Sequence, residues 1–169
     1  MIYLNIGSNL NSRIGSRKDN IKYAIKELKN EKIRILKVSN IYETPSYPNL
    51  NFPKFLNISV LIKCEYTPEI LLKKVKLIEK KIGRIKRVIN SPRVCDIDII
   101  DFNGIIIKSK FLTIPHPKLH KRNFVLYPMR DINPNWKHPI TSKKINKLIS
   151  ELNLNLRIQI TKLLKNDII

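Results

Sequence analysis

"FLNISVLIKCEYTPEILLKKVKLIEKKIG", residues 55–83, places two hydrophobic patterns back to back. Its first part, 55–66, is an apolar run rich in Ile and Val that reads as a strand. Thr67 then stands where a helix N-cap belongs, with Pro68 at the first helical position, where a missing N–H costs nothing. Ile70, Leu71, Val75, Ile78 and Ile82 form one stripe at helical spacing, and Gly83 supplies the stop. The stretch reads as strand, tight corner, amphipathic helix.

Working outward, another strand and helix precede this stretch. "IYLNI" (2–6) is a short strand running into "GSNLNSRIGS" (7–16), a loop by its Gly, Ser and Asn content. From Arg17 to Asn30, Ile21, Ala24, Ile25 and Leu28 recur at helical spacing. "IRILKVSNIYE" (33–43) alternates as a strand, and "TPSYPNLNFPK" (44–54), with three prolines, has to be an irregular loop. Beyond Gly83, a basic loop leads into an apolar strand ending near Phe102. Asn103-Gly104 is a two-residue hairpin signal, with "IIIK" (105–108) expected to return along that strand.

The order is β-α-β-β-α-β, the split βαβ pattern of ferredoxin-like folds, which puts both helices on one face of an antiparallel sheet. The expected class is α+β: a ferredoxin-like core with an added β-hairpin and a C-terminal helix, from about Ser142 to Leu152, in an α/β sandwich. Residues 109–139 read as Pro- and His-rich loop with one short apolar piece, "NFVLYPM" (123–129). The tail after that helix is ambiguous between helix and strand. No repeat or linker divides the chain, so one domain over 1–169 is expected.

The bulk composition excludes some classes. No apolar run approaches the roughly 18 residues of a membrane span, and the N-terminus lacks the basic start and long apolar run of a signal peptide. Cys64 and Cys95 lie in strand-like contexts without CxxC spacing, so reduced thiols in a cytoplasmic protein are expected. The net charge of +20 has two readings. A polyanionic partner is one, and a compositional bias toward Ile, Asn and Lys with solvated lysine faces is the other.

Chemistry concentrates in "RVCDIDIID" (93–101). Side chains alternate along a strand, so Asp96 and Asp98 share one face while Cys95, Ile97 and Ile99 share the other. Asp101 has the opposite parity and an exposed or turn-capping role is expected of it. Two like charges, about 6 to 7 Å apart along a strand, repel unless a cation sits between them or one takes a proton. Either the pair is a solvated sheet face, or it holds a hard cation such as magnesium, which favours one or two carboxylates plus phosphate oxygens. Arg84, Lys86, Arg87 and Arg93 upstream, with His116, Lys121 and Arg122 downstream, surround it with cations. That mixture fits a polyphosphate bridged to magnesium. There is no P-loop, no GxGxxG, no zinc spacing among His116, His120 and His138, and no Ser-His-Asp arrangement.

Taken in order, "GSNL" (7–10), "YETP" (42–45), "FLN" (55–57), "IEKKIGR" (78–84), "PRVCDIDII" (92–100), "PHP" (115–117) and "RNFVLYP" (122–128) resemble the 6-hydroxymethyl-7,8-dihydropterin pyrophosphokinase family of folate biosynthesis. The resemblance covers residues 1 to about 136, leaving 137–169 as C-terminal helix and tail. It implies transfer of diphosphate from ATP to the hydroxymethyl group of a reduced pterin, releasing AMP. It implies that Asp96 and Asp98 hold two magnesium ions and act in catalysis with Arg84 and Arg93. It implies ATP contacts from Glu79, Arg84, Lys86, Arg93, Ile99, His116 and Arg122. Phe55 and Phe124 would sandwich the pterin, Asn57 would bond its edge, and Thr44, Pro45 and Tyr47 would add contacts from the loop. The implied partners are these two small molecules, without nucleic acid or membrane, and the chain is expected to act as a monomer. Neither Lys86, where members often carry arginine, nor the 84–93 loop, which is a residue shorter and lacks tryptophan near Asn90-Ser91, follows the family pattern. Pro117 also replaces a residue that is commonly aromatic or polar.

Two rival readings remain at this level. A small RNA-binding sheet would use +20 and exposed aromatics, although no RNP-like aromatic motif is present. An inactive relative acting as a scaffold is the other, against which stand both aspartates and their arginines.

Overall fold

The computed structural model describes residues 1–85 and 91–163. Strand β1 (Ile2–Ser8) is buried along its whole length. Helix α1 (Arg17–Asn30) starts at Ser16, whose hydroxyl accepts from Asp19 N while the Asp19 carboxylate accepts from Ser16 N, a reciprocal capping box. The strand expected over 33–43 is two: β2 (Arg34–Val38) and β3 (Ile41–Thr44). Asn40 breaks it, because its backbone and side-chain N–H groups both donate to Asp131, at 3.2 and 2.7 Å, rather than to a strand.

The quoted stretch forms β4 (Phe55–Lys63) and α2 (Pro68–Ile82). Thr67 caps Ile70 N, and Gly83 closes the helix at φ 106°, a left-handed geometry that a side chain would strain. Strand β5 (Asp96–Phe102) follows. β4 pairs with β1 along one edge and with β2 and β3 on the other, and β5 pairs with β1, every pair antiparallel. The order of these elements is therefore β-α-β-β-β-α-β, the expected order with its second strand divided in two.

The expected hairpin is corrected. Asn103 and Gly104 do turn the chain, at φ 53° and 72°, but 105–108 does not pair with β5. Instead β6 (Ile107–Lys108) pairs with β7 (Thr113–Ile114) in a separate ribbon. The outer edge of β5 is already used: Ile97 N donates to the Glu79 carboxylate and His116 N donates to Ile100 O.

A helix was not legible in the stretch read as loop. α3 (Asn123–Ile132) follows a short 3-10 turn at Leu119–Lys121 and contains Pro128. Pro128 has no N–H for Phe124 O four residues back, which normally argues against a helix. In the amide orientation its surroundings require, Asn5 of β1 donates to that carbonyl at 3.1 Å and to Ile58 O at 3.0 Å. A strand side chain thus fills the gap in a helix.

α4 (Ile145–Glu151) is the expected C-terminal helix, shorter at each end. The ambiguous tail is both kinds of structure: α5 (Leu154–Ile158), then β8 (Thr161–Leu163), which pairs with β3. Two apolar clusters flank the sheet. Ile2, Leu4, Ile6, Ile58 and Ile97 meet α1 and α2 on one face. Tyr3, Leu61 and Ile100 meet α3 and α4 on the other.

Candidate active site

Asp96 and Asp98 lie on the α3 side of β5, as the alternation predicted, while Cys95, Ile97 and Ile99 are in the α1/α2 core. Asp101 does not keep the opposite parity. The register between β1 and β5 shifts beside Tyr3, so Leu4 pairs with Ile99 and Tyr3 with Asp101. Ile100 is the extra residue, and the bulge turns both Ile100 and Asp101 to the α3 side. Asp101 is buried, accepting from Trp136 Nε1 at 2.7 Å and from Gly104 N at 3.0 Å. The turn cap was expected; its burial was not.

Cations converge on the pair. Arg84 bonds one oxygen of Asp96 and Arg93 Nη2 the other, at 2.6 Å. Arg122 Nη1 donates to Asp98 Oδ2 at 3.2 Å, with His116 Nε2 3.8 Å from the same oxygen. Burial opposes charge on Asp96, yet Arg93, Arg84 and Lys76 together hold its carboxyl below the ordinary range. His116 Nδ1 accepts from Lys118 N, and burial lowers the imidazole pKa against the pull of Asp98.

Glu79 stands behind this cluster. It is buried, accepts Ile97 N at 2.7 Å, and bonds Lys76 at 2.7 Å and Arg84 at 2.8 Å. Burial is the largest influence on it and raises its pKa, with Lys76 and Arg84 pulling the other way. Its observed contacts are to β5 and to the cations. Ile99 points its side chain away from the aspartates. Lys86 and Arg87 lie outside the described residues.

The remaining residues border the same face. Gly7 pairs with Asp96 on one side and with Asn57 on the other, so the carboxylate and the amide are neighbours across one glycine. Asn57 is buried, donates to Thr44 Oγ1 at 3.3 Å, and turns its oxygen toward Gly7. Phe55 lies two residues away on that face, with the Arg93 guanidinium 5.2 Å above its ring, and Arg122 lies 5.4 Å from the ring of Phe124. Thr44 is buried, Pro45 half-buried, and Tyr47 exposed on the 44–54 loop.

The donor set can be tested for a metal by its chemistry. The carboxylates of Asp96 and Asp98 are hard oxygen donors on one face. Among the described residues no group of three or more His, Cys, Asp or Glu could hold a metal ion. Two carboxylates without a third ligand suit magnesium that brings phosphate oxygens, and do not suit a protein-only cage.

Sequence reasoning missed the residues beneath this face. Asn9 donates to Ser46 Oγ and Pro53 O, each at 3.1 Å, and accepts Arg93 N at 2.7 Å. It thereby joins the 44–54 loop to the segment before Asp96. Gly7 and Asn9 stood in the "GSNL" motif, but their partners are far along the chain and no local periodicity marks them.

The family model for 7,8-dihydro-6-hydroxymethylpterin-pyrophosphokinase (HPPK) matches residues 3–134. A 2-amino-4-hydroxy-6-hydroxymethyldihydropteridine pyrophosphokinase of Aquifex aeolicus is 39% identical over 150 residues, covering 89% of this chain and 91% of that protein. The protein of the same name from Bacillus subtilis is 37% identical over 131 residues, 77% of this chain and 76% of that one. The Pneumocystis carinii folic acid synthesis protein fol1 is 38% identical over 144 residues, and this chain spans 19% of its length. Among solved structures, wild-type Plasmodium falciparum HPPK-DHPS superposes with a TM-score of 0.69 at 16% identity, over 95% of this chain and 47% of that one.

Proposed function

The chain belongs to the 7,8-dihydro-6-hydroxymethylpterin-pyrophosphokinase family, and from that premise we propose that the sheet face holding Asp96, Asp98, Gly7 and Asn57 is where ATP and pterin meet. The reaction is transfer of diphosphate from ATP to the hydroxymethyl oxygen of 6-hydroxymethyl-7,8-dihydropterin. The hydroxymethyl oxygen bonds the β-phosphorus as that phosphorus releases the α,β-bridging oxygen, AMP leaves with the electron pair, and the hydroxyl proton passes to solvent. One observation carries the reading: across the β5-β1-β4 register, a cation-surrounded carboxylate and a buried amide flank a single glycine.

The chemistry asks for alignment and charge neutralisation rather than covalent help. Arg84, Arg93 and Arg122 offer planar donor forks to phosphate oxygens, with His116 beside Arg122 as a further donor at the nucleotide. Asp96 and Asp98 would hold magnesium, two ions in our reading, which when bound neutralises the triphosphate and polarises the phosphorus under attack. Glu79 keeps β5 and Arg84 in place from behind. Phe55 and Phe124 suit the flat faces of a pterin, and Asn57 offers both a donor and an acceptor to its edge. The 44–54 loop, carrying Thr44, Pro45 and Tyr47, borders the pterin side.

The test is product identity. With ATP, magnesium and 6-hydroxymethyl-7,8-dihydropterin, AMP should appear in step with the pterin diphosphate. ADP as the nucleotide product, or no turnover, refutes the assignment.

A further inference from the structure

Asn20 sits on α1, on the opposite side of the sheet from the aspartates, and is completely buried. Its Nδ2 reaches Leu10 O at 2.9 Å, Val94 O at 3.1 Å and the Ser8 hydroxyl at 3.3 Å, while its Oδ1 accepts from the Ser12 hydroxyl. The Ser8 hydroxyl in turn donates to Val94 O at 2.7 Å. One residue upstream, Arg93 N donates to Asn9 Oδ1 at 2.7 Å and Asn9 N donates to Arg93 O at 3.1 Å.

Arg93 and Val94 belong to no strand or helix. Both carbonyls and the Arg93 N–H are nevertheless bonded, entirely by residues from the 8–20 region. Backbone held at three points leaves the side chain it carries little freedom of origin. That side chain is Arg93, which reaches Asp96 at 2.6 Å and lies 5.2 Å over Phe55. The segment also leads directly into Asp96 through Cys95.

We propose that Asn20 is a positioning residue for the transfer: its amide, with the Ser8 hydroxyl, clamps the Val94 carbonyl and so sets where Arg93 presents its guanidinium between Asp96 and Phe55. The inference rests on the reading of Arg93 as a phosphate-binding residue. A buried amide that only stabilises the fold would make the same bonds, so the test has to separate the two roles.

A double-mutant cycle does so. Asn20→Ala is made alone and with Arg93→Ala, and kcat and KM for ATP are measured for the folded proteins well below their unfolding temperatures. Alone, Asn20→Ala should lower kcat/KM by about tenfold, within the coupling range for residues of one hydrogen-bonded network. In the Arg93→Ala background it should change it less than twofold, because the group it positions is gone. Equal losses in both backgrounds, or no loss in either, overturn the proposal while leaving the site reading intact. Wild-type kinetics for Arg93→Ala overturn both. If Asn20→Ala does not fold, Ser8→Ala, which removes the second donor to the same carbonyl, is run through the same cycle and judged by the same outcomes.

Discussion

Adding one methyl group at Gly7 tests the geometry that carries the functional assignment. Gly7 has no positive φ among the chain's special backbone positions, so alanine is allowed by its backbone and the cost is steric alone. A Cβ built there lies 2.8 Å from Asn57 Oδ1 and 3.6 Å from Phe55 Cδ1. Ordinary carbon–oxygen contact is about 3.4 Å, so the amide oxygen must retreat by roughly 0.6 Å. Asn57 is buried and held by Thr44 Oγ1, so it turns only by giving up that bond. The amide then no longer presents its edge to the pterin. Losing one or two neutral hydrogen bonds is worth about 1–2 kcal/mol, which weakens pterin binding roughly 5- to 30-fold. Asp96, on the other side of Gly7, has its charge partners unchanged, so ATP affinity should stay within twofold. Fluorescence titration of the pterin with a non-hydrolysable ATP analogue present, and of the analogue alone, measures both. Overpacking strain of about 1–3 kcal/mol lowers the melting temperature without unfolding the protein at 25 °C. Unchanged pterin affinity, or a loss shared equally by ATP, refutes the reasoning.

Three further outcomes are expected. Asp96→Asn and Asp98→Asn should each lower turnover by about 10²–10³-fold or more, with magnesium-dependent binding of an ATP analogue lost in calorimetry; near-normal activity in either removes the metal role. Trp136→Phe deletes the ring N–H donor to buried Asp101, so urea unfolding should show a loss of about 1–3 kcal/mol with kcat within twofold. His138, packed by Trp136 with His120 and Asp101 nearby, has its pKa lowered by burial first and by His120 second, against Asp101. Below about pH 6.5 the unfolded chain takes up a proton that native His138 refuses, so stability falls on acidification and is level above. His138→Asn should flatten part of that acid limb, with His116 shifted in the same direction sustaining the rest; an unchanged slope between pH 5.5 and 7.5 contradicts this.

Local chemistry made much of the fold legible. α2 could be read because Thr67, Pro68 and Gly83 mark its ends and Leu71, Val75, Ile78 and Ile82 mark its buried stripe, although Ile70, counted with them, is exposed. α3 could not, because the bond that tolerates Pro128 comes from Asn5, more than a hundred residues earlier. The break at Asn40 depends likewise on Asp131. The turn cap of Asp101 on Gly104 was foreseen, but its side of the sheet was misjudged because period-two counting has no means to register the bulge at Ile100. At the site, parity was enough to align Asp96 with Asp98. Of the supports beneath them, Glu79 was named only through the family resemblance, while Asn9 and Asn20 act on backbone groups distant in the chain, which leave no trace in residue identity.

The charge of the chain can now be divided by kind rather than summed. The sequence holds nine arginines against twenty-four lysines, so lysine is its default cation. On the helices lysine pairs with glutamate across the surface, as Lys74 does with Glu31 and Lys81 with Glu27. Such contacts ask for a point charge, and the flexible ammonium serves. Around the aspartates of β5 the pattern reverses: Arg84, Arg93 and Arg122 make the close bonds, while Lys76 stands 4.0 Å from Asp96. Two of these arginines also lie over phenylalanine rings, a position in which a planar, weakly hydrated cation does what an ammonium does poorly. Lysine in their places would preserve the charge and lose both the fork and the plane. A polyanion attracted to bulk charge would not distinguish the two residues, whereas a phosphate gripped through paired N–H donors beside an aromatic ring does. On the proposed reading, phosphate binding would rest on Arg84, Arg93 and Arg122 and not on the summed charge of +20.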